Sequence, residues 1–179
     1  MLSLLTSFIV GCGDNLESTT SLPDEIDSLW VTKTGQTVSY AASDDGEYQK
    51  GLDRNFSRDN TLEVITDNVR KIQWQDNNVT VVKNYVDAIE YCNDLIFANF
   101  SDWSLPSIQQ LISVVNISGG SSKLETVFVN YTTSMYYWSN TSRANSATDA
   151  WALIYSTNAL HSSMSQETNN SVKCLREFE

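Results

Sequence analysis

The sequence predicts an α+β domain, on three observations. Short segments of alternating apolar and polar residues come first, two amphipathic helical segments follow, and strand-like runs return before the C-terminus. Strands and helices that are grouped in this way, rather than alternating, are the pattern of α+β architecture. In the first group, "TLEVITDN" and "VRKIQWQDN" alternate around Thr66-Asp67-Asn68 and read as two strands joined by a tight turn. Ahead of them, Thr34-Gly35 and Asp45-Gly46 supply turn chemistry between shorter candidate strands.

The helices follow from period and capping. In "VTVVKNYVDAIEYCNDLIFANF", residues Tyr85, Ala88, Ile89, Cys92, Leu95 and Ile96 recur at spacings of three and four, which makes one face apolar and turns Cys92 inward. Lys83, Asp87, Glu90 and Asn93 take the wet side. The second helix starts at "PSIQQLISVV": Pro106 suits a first turn, and Ser107 with Gln110 three residues on is a capping-box pattern. Ile108, Leu111, Ile112 and Val115 form its stripe. Residues 116–149 are rich in Asn, Ser, Thr and Tyr and lose the period. Strand character resumes in "MYYWS", "AWALIY" and "NSVKCLREF".

Composition narrows the function. With 41% hydrophobic residues and five Trp, eight Tyr and six Phe, the 179-residue chain can build one core. A formal charge of −11 removes the basic footprint that nucleic acid requires, so no nucleic-acid partner is expected. The opening "MLSLLTSFIVGC" is too short to span a bilayer as a helix and reads as the apolar part of an export signal. Its end, Ile9-Val10-Gly11-Cys12, resembles the bacterial lipobox, which implies a signal peptide over residues 1–11 and a lipid on Cys12. No Lys or Arg precedes Cys12, a departure from that pattern, and the alternative is a buried strand ending in a core cysteine. Residues 12–28 are acidic and aperiodic and read as a tether, so the folded domain is expected over 29–179. If Cys12 carries lipid, Cys92 and Cys174 remain as an even pair in an exported chain, where a disulfide is expected and two free buried thiols are the alternative.

In order and spacing, "TGQT", "DNVRKIQWQ", "DAIEYCNDL", "SDWSLPSIQQL", "YYWSNT", "AWALIY" and "VKCLRE" resemble the Lcl C-terminal domain family, over residues 34–178. The resemblance implies a C-type lectin-like fold, with two helices on small twisted antiparallel sheets, a long irregular loop region, and a disulfide between the first helix and the last strand. Cys92 and Cys174 match that bridge. Trp74, Trp103, Trp138 and Trp151 are expected as core anchors whose indole N–H groups find backbone partners. Asp102 is expected to hold backbone amides at the entry to the second helix.

No catalytic pattern accompanies this. His161 stands alone in a polar segment, and neither a nucleophile-elbow, a Cys-x-x-Cys nor a phosphate loop is present, so no enzyme and no cofactor are expected. Asp44, Asp45 and Glu47 around Gly46 lack the spacing of a calcium loop and read as a solvated acidic turn, with no metal site. The expected function is binding or adhesion at the bacterial envelope, lipid-anchored and on the outer membrane because Gly13 is not the aspartate of inner-membrane retention. Tyr136, Tyr137, Asn140, Arg143 and Asn145 are the candidate ligand-binding residues, since aromatic, amide and guanidinium groups offer stacking and adaptable hydrogen bonds. The sulfated-polysaccharide ligand implied by the collagen-like adhesin for which the family is named fits poorly with a charge of −11, and a neutral glycan or a protein partner is expected instead. The alternatives are a structural lipoprotein that uses the fold as a scaffold, or a diversified receptor. Exposure of Tyr136 and Tyr137 would favour binding, and burial of both would favour the scaffold.

Overall fold

The computed structural model describes residues 31–118, 123–156, 158 and 161–179. The expected signal peptide, the expected lipidation site Cys12 and the expected tether therefore lie outside the described residues. Within them, β1 (Phe56–Asp59), β2 (Val64–Asp67), β3 (Ile72–Gln75) and β9 (Leu175–Glu177) form one antiparallel sheet in that order. The second sheet runs β4 (Val82–Lys83), β8 (Asn170–Ser171), β5 (Tyr137–Ser142), β6 (Asp149–Leu153) and β7 (His161–Ser165), antiparallel except for the parallel pair β5 and β8. Three helices accompany them: a four-residue α1 (Asp45–Tyr48), α2 (Tyr85–Asn93) and α3 (Ile108–Ser113). No described helix is long and apolar enough to cross a membrane.

Strand alternation divides the core in two. Tyr137 and Leu153 face one way with Leu111 and Val114 of the α3 segment, meeting the row Ile65, Trp74 and Leu175 that runs straight across the first sheet. Trp138, Ala150 and Ala152 face the other way, onto Ala88 and Cys92 of α2. The second sheet is thus covered on both faces, as the period-two alternation of its strands requires. Between Trp138 and Ser142 the β5–β6 register shifts, a bulge ahead of the hairpin turn.

The second helix carries the expected capping box in full. Ser107 Oγ accepts from Gln110 N and Gln110 Oε1 accepts from Ser107 N. Both helices are shorter than their apolar stripes. α2 stops at Asn93 because the chain turns back through the Phe97–Phe100 bridge, with Ala98 and Asn99 in the left-handed region, and Ile96 is left 80% exposed. After α3 the chain bends so that Val114 enters the core, while Ile112 stays outside. β7 was hidden in the sequence: it lies in the polar segment around His161, since "HSSMS" has no apolar alternation and is held by pairing with β6 alone.

Cys92 of α2 and Cys174, one residue ahead of β9, form a disulfide with Cα atoms 5.5 Å apart, and both are fully buried. The tryptophans divide. Trp103 donates to the Phe97 carbonyl and Trp138 to the Lys83 carbonyl, as anchors should. Trp151 is only half-buried, its ring tilted against that of His161 with centroids 5.6 Å apart. Trp74 is 1% exposed yet its Nε1 finds no partner, which corrects the expectation for that residue. Asp102 is corrected as well: it takes a bidentate pair from Arg176 rather than backbone amides, and that hydrogen-bonded guanidinium holds its carboxyl below the usual range.

Candidate functional site: a polar cleft built on a buried aspartate

β3 ends at Gln75 and the next residue, Asp76, has no exposed surface. A buried carboxylate must be paired and hydrogen-bonded. Asp76 receives a guanidinium bond from Arg58, an ammonium bond from Lys173 at 2.9 Å, and the backbone N–H groups of Val129 and Asn130 at 3.1 and 3.2 Å. Its own carbonyl accepts from Asn130 Nδ2 and Arg58 Nη2. The consequence is mechanical: Asp76 ties the segment that follows β3 to the segment around 129–130, which lies more than fifty residues along the chain. Lys173, with its side chain 11% exposed, has its pKa lowered by burial, against the pull of Asp76.

Between those two segments lies a cleft of about 160 Å³. One wall is residues 77–81, including Asn77, Asn78 and Thr80, and the other is residues 129–132, including Asn130 and Thr132. Tyr137, Ser171, Val172 and Lys173 complete the lining, and Val79 and Val129, both about 60% exposed, bring apolar surface to it. Each wall is tied to the rest of the lining: Val172 N donates to Val81 O at 2.9 Å, and Thr132 N donates to the Tyr137 hydroxyl at 2.7 Å. The arrangement offers amide and hydroxyl groups that both donate and accept, beside the Lys173 ammonium, which shares the Asp76 carboxylate with Arg58. It is suited to a small polar ligand.

The expected ligand residues are not gathered here. Tyr137 reaches the cleft only as part of its lining; it is 3% exposed, its ring packs on Tyr155, and burial pushes its hydroxyl up to about 12. As a surface aromatic for stacking it is withdrawn, because its position in β5 points it into the core. Tyr136, just ahead of the strand, is half-buried on the α2 side. Asn140, Arg143 and Asn145 sit along the β5–β6 hairpin, and none of them lines the cleft. Arg143 bonds Asp149 and Ser163, the Asn140 N–H donates to the Pro106 carbonyl, and Asn145 is exposed in the turn. The residues that sequence reasoning missed, Asp76, Asn78, Thr80, Asn130 and Lys173, had one faint signal: Lys173 is a lone cation inside "SVKCL", and "DNN" follows a strand as an ordinary turn would.

Elsewhere, the carboxylates around Gly46 serve their own loop. Asp44 caps α1 and accepts from the N–H groups of Tyr40, Ala41 and Glu47, which hold its pKa at about 2, with the Tyr40 bond the largest cause. Among the described residues no group of three or more His, Cys, Asp and Glu side chains is placed to hold a metal ion.

Residues 63–176 match the family model of the Lcl C-terminal domain. The matched span is well over half of the chain and contains both bridged cysteines and every residue of the cleft. No curated protein matches the chain.

Proposed function

The chain belongs to the Lcl C-terminal domain family, and on that premise we propose that it is a non-enzymatic binding module whose ligand is a neutral glycan held in the cleft between residues 77–81 and 129–132. The observation that carries this is the cleft itself, a preformed concavity whose walls are pinned together by a buried aspartate and whose lining is mainly amide, hydroxyl and valine, with Lys173 paired to that aspartate. Sugar hydroxyls pair with such groups, and valine surface covers the apolar face of a sugar ring. At about 160 Å³ the cleft is smaller than the ~300–1,000 Å³ of drug-sized sites, which favours one terminal residue of a glycan. The net charge of −11 disfavours anionic polysaccharides.

The same proposal gives the domain a C-type lectin-like arrangement, supported by two helices on two small sheets and a bridge from α2 to the last strand. It also places the domain on the bacterial envelope, most simply the outer membrane, through lipid on Cys12. Mass spectrometry of the mature protein from its native host tests the anchor, and an unmodified Met1 removes it.

A glycan array probed with the protein and with an Asn78→Ala/Thr80→Ala variant tests the binding site. Both side chains are exposed in the cleft wall and make no internal hydrogen bond, so the variant keeps its fold. Binding by the wild type and loss of about tenfold or more in the variant is expected. Silence across the array would favour the second reading, a scaffold lipoprotein, which draws support from the burial of Tyr137 and half-burial of Tyr136.

A further inference from the structure

The cleft between residues 77–81 and 129–132 carries aliphatic surface inside its polar lining. Val172 N donates to Val81 O at 2.9 Å, and both residues pack in the core cluster that includes Ala88 and Cys92 of α2. Two residues back along the same wall, Val79 is 61% exposed, and on the other wall Val129 is 60% exposed. Core packing does not account for this pair. Each shows most of its surface to solvent, Val79 between the exposed Asn78 and Thr80 and Val129 ahead of the half-buried Asn130.

The shape of these side chains limits what they can grip. A flat sugar face is matched by a flat aromatic ring, and the two aromatic residues of the lining are drawn inward, Tyr137 at 3% exposure and Tyr131 half-buried. Valine is branched and stiff at χ1, so it presents methyl groups in fixed positions. Two such side chains on separate walls touch a broad ring face only at points, but they match a methyl group. Covering one methyl contributes about fourfold in affinity. A hydroxymethyl group in the same place would bring its hydroxyl to side chains that neither donate nor accept.

Resting on the glycan-binding reading above, we propose that the cleft selects 6-deoxyhexoses, sugars whose C6 is a methyl group, with that methyl seated against Val79 and Val129 and the ring hydroxyls on Asn78 and Thr80. Val79 and Val129 are then the specificity-determining residues. The sugar they discriminate against is the parent hexose, identical except for a hydroxymethyl group at the same carbon. Both valines already reach solvent, so the methyl meets them with no displacement of the core.

Titration calorimetry with the intact protein compares two pairs of methyl glycosides, the L-fucoside with the L-galactoside and the L-rhamnoside with the L-mannoside. Within each pair the sugars differ only at C6, methyl against hydroxymethyl. In at least one pair the deoxy sugar is expected to bind about fourfold tighter. Equal or tighter binding of the hydroxymethyl sugar in both pairs overturns methyl selection and leaves the cleft as a glycan site. Failure of all four glycosides beside a positive glycan array overturns it too, whereas a silent array removes the glycan reading itself. In the wild type, the C6 methyl protons of the bound deoxy sugar give nuclear Overhauser contacts to the Val79 and Val129 methyls, and contacts to neither also overturn the assignment. Val79→Thr and Val129→Thr each exchange one exposed methyl for a hydroxyl at nearly constant shape, and the Val129 N–H bond to Asp76 is kept. Each variant, checked for fold by circular dichroism, brings the preference toward unity without weakening the hydroxymethyl sugar. A fourfold preference that survives in both variants contradicts the role of the valines.

Discussion

At the scale of single residues, Asp76 decides more than any other group in the cleft. It is one anion facing two cations, Arg58 and Lys173, with no exposed surface. Removing a partner from such a pair leaves charge buried and uncompensated, which costs about 3–5 kcal/mol. Asp76→Ala is therefore expected to lower unfolding free energy by that amount in urea titration and to abolish cleft binding, since the 129–130 amides lose their acceptor. Tyr137 and Tyr155 make a second residue-scale prediction. Burial raises both hydroxyl pKa values, Tyr137 to about 12 from the ordinary 10.0. A raised folded pKa contributes stability that is fully present below pH 10.0 and is lost as pH climbs through about 12. Stability measured across that window should fall less steeply in Tyr137→Phe than in the wild type.

At the scale of elements, local chemistry sets the boundaries. The Ser107–Gln110 capping box was legible because its partners are three residues apart, and it is found as expected. Ser107→Ala should cost about 1 kcal/mol of stability, read as a lowered Tm. The strands 64–67 and 72–75 were legible for a similar reason, since their alternation records one buried face; their turn falls at residues 68–71 rather than around Thr66-Asp67-Asn68, because Thr66 and Asp67 pair with Gln73 and Ile72. β7 was not, because its order comes from backbone pairing with β6 and leaves no apolar signature. The early ends of α2 and α3 were also illegible: apolar residues continue past each end, and only the neighbouring chain decides that Ile96 is left out and Val114 taken in.

At the scale of the molecule, the Cys92–Cys174 bridge closes a separation of 82 residues and joins α2 to the last strand of the first sheet. Chain entropy puts the cost of opening so long a loop at about 4–5 kcal/mol, although measured losses are often smaller. Cys92→Ser/Cys174→Ser is expected to lower stability by about 2–5 kcal/mol in urea titration and to bring it level with the wild type in reductant. A double variant that matches the oxidised wild type contradicts a structural role for the bridge. The cleft is also a property of the whole: its lining comes from the segments around 78, 130 and 172, brought together by Asp76 and by β8 inserting between β4 and β5.

The sequence by itself determined the α+β class, the two helices and the family, because each is written in local period or in motif order; it singled out Cys92 and Cys174 as a pair, and the structure decided that they are bridged. Only the tertiary structure decided which residues line the cleft. Tyr136, Tyr137, Asn140, Arg143 and Asn145 are close in sequence, yet strand alternation and the hairpin scatter them between the core, the α2 side and the turn. Asp76, Asn130 and Lys173 are far apart in sequence and meet because a buried carboxylate requires partners, and the fold alone determines which ones arrive.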